Sequence, residues 1–354
     1  MVITAKQRIQ QFWKWFRSRE PAFLMQLEQG SASAVKQEID SQFHTLSLPL
    51  HCWVGVESPS NLAFLSLICN GDKTAQFTAL FWKEHAPFAL LNRWNFYTCK
   101  PAAKHPPVRF ELGGKQYACE DWTVLLGQNE QAKKFELQVY SSDFKQLSPA
   151  EQMMRTMLVL RETFGEAFTE IYIGSVQTLE NKPEYIPEDV IFCTFSRFVS
   201  IIRTAPQKLG WPVCGEPTMV CYGYQVHKPA QKNCLREDIL SGVIRNPRLL
   251  EEPASTADIF RSCGGSYNFF YYDNPPMNSA DLDEFRGRVA AQVERFLEDY
   301  DLGYLIGTAA GITYSYLDMM IFDPPAFSAV FQDLCNRFDA DLYLRPFGKS
   351  GYLQ

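Results

Sequence analysis

An α+β protein of two modules is the fold class this sequence predicts, and three observations lead to it. The 354 residues are 46% apolar and 21% charged, the balance of a chain that folds rather than stays disordered. Roughly 150 residues per domain then gives about two domains. Apolar positions recur with helical spacing in some stretches and alternate in others, so helices and strands are both present. A stretch poor in apolar residues and rich in proline and acid, NKPEYIPEDV over 181–190, has the composition of a boundary. The expected division is an N-terminal α+β module with leading helices, 1–185, and a second module, 186–354.

Taken in order, the first element is a helix, because Ile9, Phe12, Trp13 and Phe16 fall at i, i+3, i+4 and i+7. Its Lys6, Arg8, Lys14, Arg17 and Arg19 beside aromatic residues would suit a membrane interface. The tidy apolar stripe favours docking on the first module instead. A second helix covers 31–43. LHCWVGVE (50–57) and NLAFLSLICN (61–70) read as strands separated by turn residues. Asn70-Gly71-Asp72 then leads into a helix carrying Phe77, Leu80 and Phe81 on one face. RWNFYTCKP (93–101), VRFEL (108–112) and FELQVYS (135–141) read as strands, with a Gly113-Gly114 turn after the second. Ser148, Pro149 and Glu151 are cap, first-turn and box residues of a helix ending near Gly165. TEIYIGSVQ (169–177) reads as a strand.

The last third repeats these signals most clearly. GSYNFFYYD (265–273) is a strand. Asp281-x-x-Glu284 resembles a capping box for a helix carrying Leu282, Phe285, Val289, Phe296 and Tyr300 in phase. LGYLIGTA (302–309) and ITYSYLDMMIF (312–322) are strands meeting around Gly311. Pro324 and Pro325 open a helix with the stripe Phe327, Val330, Phe331, Leu334 and Phe338, and ADLYLRPF (340–347) is the final strand. The order β-α-β-β-α-β is that of the ferredoxin-like split βαβ sandwich, which is the expected fold of the second module. A short echo between YIGSV (172–176) and YLIGTA (304–309), each after a helix, suggests two related modules.

Several of these segments resemble known bacterial sequences. FWKWF (12–16) is similar to the FWxWF start of a family of uncharacterised bacterial proteins, and RWNFYTCKP and LRETFGEAFTEIYIGSV (160–176) follow in the order such proteins use. LGYLIGTAAGITYSYLDMMIFD (302–323) resembles a domain of unknown function similar to the regulator of ribonuclease E activity B, which is ferredoxin-like. The resemblance implies a bacterial cytoplasmic protein of two α+β modules. It transfers no catalytic residue, and any activity it implies is fold analogy.

Composition narrows the function. The net charge of −6 argues against a dedicated nucleic-acid binder, whose affinity comes from neutralising phosphates. Ten cysteines are too sparse for a disulfide scaffold, the start has charges inside every apolar stretch, and no run approaches the ~20 apolar residues of a membrane span. A reduced, cytoplasmic setting follows. GxSxG, GxxxxGK[ST], HExxH and GxGxxG are absent, and the five histidines sit in no recognisable arrangement.

Cys214, Cys221, His227 and Cys234 place four soft ligands within 21 residues, but without a CxxC knuckle the pattern reads as core and loop thiols. Cys263 precedes Gly264-Gly265, a turn that can activate a thiol beside a helix start, yet a strand follows. Tyr314, Tyr316 and Asp318 share strand parity, and Tyr271, Tyr272 and Asp273 end another strand. With Leu317, Met319 and Ile321 suited to the covered face, Tyr314, Tyr316 and Asp318 are expected on the free one, which is open unless the first module or a second chain covers it. The resulting expectation is a non-enzymatic regulator, inhibitor or immunity-type protein that needs no cofactor and binds a protein partner through these six residues. A homo-oligomer is compatible with it. The alternative is an enzyme or small-molecule binder with a pocket between the modules, with Cys263, Asp273 and Asp318 as first suspects.

Overall fold

The computed structural model describes residues 3–57, 60–103, 109–112, 115–119, 121–188, 190–213, 215–227, 235–337 and 341–347. In chain order the helices are α1 (Ala5–Glu28), α2 (Ala32–Thr45), α3 (Lys73–Glu84), α4 (Pro149–Phe164), α5 (Glu166–Tyr172), α6 (Phe195–Lys208), α7 (Arg248–Glu251), α8 (Pro253–Ser262), α9 (Ser279–Asp299) and α10 (Pro324–Cys335). The strands of the first half are β1 (His51–Val56), β2 (Ala63–Ile68), β3 (Trp94–Tyr97), β4 (Arg109–Leu112), β5 (Lys115–Ala118), β6 (Thr123–Asn129), β7 (Lys134–Tyr140) and β8 (Ile173–Leu179). Those that follow are β9 (Ile191–Thr194), β10 (Tyr222–Gln225), β11 (Ile239–Ile244), β12 (Ser266–Asp273), β13 (Gly303–Gly311), β14 (Tyr314–Ile321) and β15 (Tyr343–Pro346). The protein is α+β, as its sequence predicts. The Gly113-Gly114 turn and Phe338 lie outside the described residues.

The compact units are not the sequential halves 1–185 and 186–354. One comprises 1–64, 72–96 and 221–354, and the other 65–71 and 97–220. The first unit therefore joins the leading helices to the last third, and hydrogen bonds and ring contacts inside it give the reason. The amide of Ala5 donates to the carbonyl of Gly264 (3.2 Å) and that of Lys6 to Phe322 (3.0 Å). Phe81 of α3 stacks on Phe322 at 4.0 Å, with the rings 3° from parallel. At Gly264, where φ is +85°, a Cβ would lie 2.2 Å from the Ile3 carbonyl oxygen, so this approach demands glycine.

Within the same unit, Ile9, Phe12, Trp13 and Phe16 of α1 are buried, while Lys14, Arg17 and Arg19 are exposed. Phe12 stacks on Phe43 of α2 at 4.5 Å and Trp13 on Trp82 of α3 at 4.6 Å. The Trp13 indole N–H donates to the Trp82 carbonyl at 2.8 Å. The basic aromatic helix thus uses its rings for its own core. No helix among the described residues is long and apolar enough to cross a membrane.

The large sheet of this unit runs β10-β11-β13-β14-β12-β15, with every neighbouring pair antiparallel. Strand parity sets its two faces. Phe270, Leu317, Met319 and Ile321 bury one face against Val289, Val293 and Phe296 of α9 and Phe327 and Leu334 of α10. Each such side chain contributes roughly 1.5–3 kcal/mol by leaving water. α9 begins earlier than the Asp281–Glu284 spacing implies: Asn278 is its cap, and its Oδ1 accepts from the Asp281 amide at 3.0 Å. Asn competes well for that place because its short side chain reaches the third backbone N–H.

In the second unit the four-stranded sheet runs β8-β7-β6-β9, parallel only at β7–β8. Val124, Leu126, Leu137 and Val139 bury against Val159 and Leu160 of α4 and Phe198 and Ile202 of α6. The Ser148–Glu151 capping box opens α4 as read from the sequence. The stretch 169–177 departs from its expected strand: Thr169–Tyr172 are helical, and the strand starts at Ile173. Glu166 fixes that helix start. Its buried carboxylate accepts the amides of Asn70 (2.7 Å), Lys100 (3.2 Å) and Cys69 (3.4 Å).

Candidate functional site

β12 and β14 place the expected site residues in register, Tyr271 opposite Tyr316, Tyr272 opposite Ser315 and Asp273 opposite Tyr314. The pleat then separates them. Tyr272 faces the helices and is buried, with its hydroxyl bonded to Ser315; burial pushes its pKa up, so it remains a neutral phenol. Tyr271, Tyr314, Tyr316 and Asp318 share the opposite face, as their parity requires.

That face is not open along its length. Tyr316 and Asp318 are each only 1% exposed. The segment just before β11 closes over them. The Arg236 guanidinium meets the Asp318 carboxylate through two bonds, 2.6 and 3.3 Å, and lies 5.0 Å above the Phe269 ring and 4.8 Å above Phe347. The Arg236 amide donates to the Tyr316 hydroxyl at 2.9 Å, and that hydroxyl donates to the Asp238 carboxylate. Burial first, and then the bond to Asp238, hold the Tyr316 pKa far above the ordinary phenol value. Asp238 also accepts the amides of Thr313 (2.9 Å) and Tyr314 (3.0 Å), which closes the β13–β14 turn. A Cβ at Gly311 would sit 2.3 Å from Asp238, so glycine makes that turn compatible with the carboxylate.

Arg236 holds this position with φ at +65°, a left-handed conformation that costs a non-glycine residue of order 1 kcal/mol. The bidentate ion pair and the aromatic faces on the guanidinium offset that cost. Tyr316 and Asp318 are thus support rather than surface. The physical reason is a buried counter-charge, supplied from a loop some 80 residues away.

The exposed end of the same face is aromatic. Tyr271 and Tyr314 are half-buried, Tyr343 of β15 is 42% exposed, and Asp273 is exposed. The Tyr271 ring lies 5.1 Å from Tyr343 and 5.4 Å from Tyr314, making a strip across three strands. Partial burial and then the charge of Asp273 raise the Tyr314 pKa, which keeps its hydroxyl protonated and able to donate.

No family model, curated protein or solved structure matches the chain.

Of the other sequence candidates, Cys214 and Cys234 lie outside the described residues. Cys221 and His227 are exposed at either end of β10. No group of three or more potential metal ligands occurs among the described residues. Cys263 is buried after α8, its Sγ 3.3 Å from the Ile259 carbonyl, and burial pushes its pKa up. That is the reverse of an activated thiol. Sequence reasoning missed Arg236, Asp238 and Tyr343. Tyr343 shares a predicted strand with no register attached, and nothing local marks Arg236 as the partner of Asp318.

Proposed function

We propose that this is a non-enzymatic bacterial binding protein of regulator, inhibitor or immunity type, which engages a protein partner through the Tyr271–Tyr314–Tyr343 strip and Asp273. One observation carries the reading: half-exposed tyrosines stand beside a buried, hydrogen-bonded network. Tyrosine offers a large contact area and a polar tip at low entropic cost, which suits it to interface hot spots. Asp273 and the overall charge of −6 favour a basic partner surface. The rest of the reading follows the resemblance, with the protein acting in the bacterial cytoplasm. A ferredoxin-like module in the last third is part of it, supported by the strand order β15-β12-β14-β13 with α9 joining β12 to β13 and α10 joining β14 to β15. β11 and β10 then extend the β13 edge.

The test is affinity co-purification from a native bacterium at low and moderate salt, comparing the wild type with Tyr343→Ala and Asp273→Asn. A stoichiometric, salt-weakened protein partner that both substitutions release supports the reading. Tyr343 is exposed enough that its removal should leave the unfolding midpoint almost unchanged. A partner held equally by both variants, or no partner at either salt, refutes it.

A further inference from the structure

α9 covers the centre of the large sheet but not its β10–β11 extension, and a cleft of about 650 Å³ lies between them. Its floor is the helix-side face of β10, β11, β13 and β14, where parity places Gly223, Ser241, Val243, Thr308, Ala310 and Ser315. These are small side chains; the longer Gln225 and Leu317 share the same face, and Val243 is 44% exposed. Asp283, Arg286, Gly287 and Ala290 of α9 form the wall. Cys263, Asp273 and Asp318 do not line it, and the cleft lies wholly within the first unit.

Two details distinguish this space from loose packing. The first is Gly287 in the middle of α9. Glycine there costs about 1 kcal/mol relative to alanine. Its φ is not positive, and a Cβ built on it meets nothing within 4 Å. Gly223, on the facing strand, shows the same openness. Both glycines are exposed, and each leaves open a space that a longer side chain would enter.

The second detail is the fixed cation at one end. Arg286 donates through Nε to Ser315 (2.7 Å), through Nη2 to Asn274 (3.3 Å) and through Nη1 to Asp283 (3.1 Å). Ser315 in turn donates to Asn274 at 2.6 Å, and Asn274 donates to the Gly311 carbonyl at 3.0 Å. These bonds use three of the five guanidinium N–H groups and hold the plane in place. Asp283 is an exposed residue on the outer rim.

We propose that this cleft binds a small amphipathic organic anion, with its acidic head on Arg286 and its apolar body along Val243 and Ala310. The volume falls in the range of small-molecule sites. A pre-positioned guanidinium favours a planar or tetrahedral oxyanion through charge-assisted bonds. The site is separate from the tyrosine strip, being on the opposite face of the sheet.

The test uses the full chain and anilinonaphthalene sulfonate, an aromatic anion whose fluorescence rises on burial, with isothermal titration for stoichiometry. One equivalent should bind. Gly287→Leu fills the cleft and should abolish binding while leaving the thermal midpoint equal or higher, because leucine is the better helix former. Arg286→Gln should weaken binding at least roughly tenfold, the effect of losing a charged hydrogen bond. It should also remove the preference over the uncharged analogue phenylnaphthylamine. Asp283→Asn removes a competing carboxylate and should tighten binding. The proposal fails if no saturable binding occurs, or if Gly287→Leu binds the probe as the wild type does. Because Gly287→Leu leaves the arginine network intact, a misfolded Arg286 variant does not rescue the proposal.

Discussion

At the scale of single residues, the chemistry of β14 turns on whether a polar side chain has found a buried partner. Asp318 is tolerable in a sheet interior because Arg236 pairs with it in two bonds. Asp318→Asn would leave that guanidinium buried without its counter-charge, and should cost about 3–5 kcal/mol. Tyr316→Phe strands Asp238 and the Arg236 amide and should cost about 1–3 kcal/mol. Urea denaturation reads both. A loss below about 1 kcal/mol for Asp318→Asn would show that the network does not support the face.

His85 is a second case at this scale. Its Nδ1 lies 2.7 Å from the Phe81 carbonyl and its Nε2 2.8 Å from the Asp301 carboxylate, so both ring nitrogens face acceptors, an arrangement that favours the protonated ring. Burial pulls the His85 pKa down, but the bonds to Asp301 and Phe81 outweigh it and the net shift is upward. Lys6 is the other charge at the site, 2.7 Å from Asp301. Burial raises the Asp301 pKa, and the bonds from His85 and Lys6 more than reverse that. A raised histidine pKa gives stability that is complete below the unfolded value of about 6.5 and is lost as pH climbs through the folded value. The depressed Asp301 pKa sets the acid limit, with stability lost as pH falls below about 3.8 through its folded value. His85→Gln should therefore destabilise the protein more at pH 5.5 than at pH 8.5. Equal differences in melting temperature at the two values would contradict this.

At the scale of elements, period and capping were enough where one local signal dominated. The α1 stripe, the Ser148–Glu151 box and the alternation of β7 all appear where the sequence puts them. α6 was not among the expected helices, although Phe195, Phe198, Val199 and Ile202 keep helical spacing and are buried. Thr169–Tyr172 misled because β-rich composition lost to a buried Glu166 that collects three backbone amides from elsewhere in the chain. The start of α9 misled because two capping residues, Asn278 and Asp281, compete within one turn, and only the backbone reveals which side chain reaches the third N–H.

At the scale of the whole molecule, the composition boundary at 181–190 did not predict the compact units, since the first hundred residues contribute to the unit that holds the last third. A fragment 186–354 would lack α1 and α3 and would expose Phe322 and Gly264 where those helices sit. It should unfold without a sharp cooperative transition, whereas the full chain melts cooperatively. A fragment with a steep, reversible transition near that of the full chain would overturn this and restore the sequential division.

The sequence by itself determined the α+β class, most helix and strand positions, the parity of β14, and which of its sides the helices cover. These depend on nearest neighbours along the chain, and a period or a cap expresses them locally. Only the tertiary structure decided that Tyr316 and Asp318 are interior, that Tyr343 completes the exposed strip, and that a glycine-lined cleft opens beside α9. Each of those depends on a partner distant in sequence. Arg236 reaches Asp318 across 82 positions, and a carboxylate's burial is settled by the charge that arrives to meet it, which no pattern in its own strand encodes.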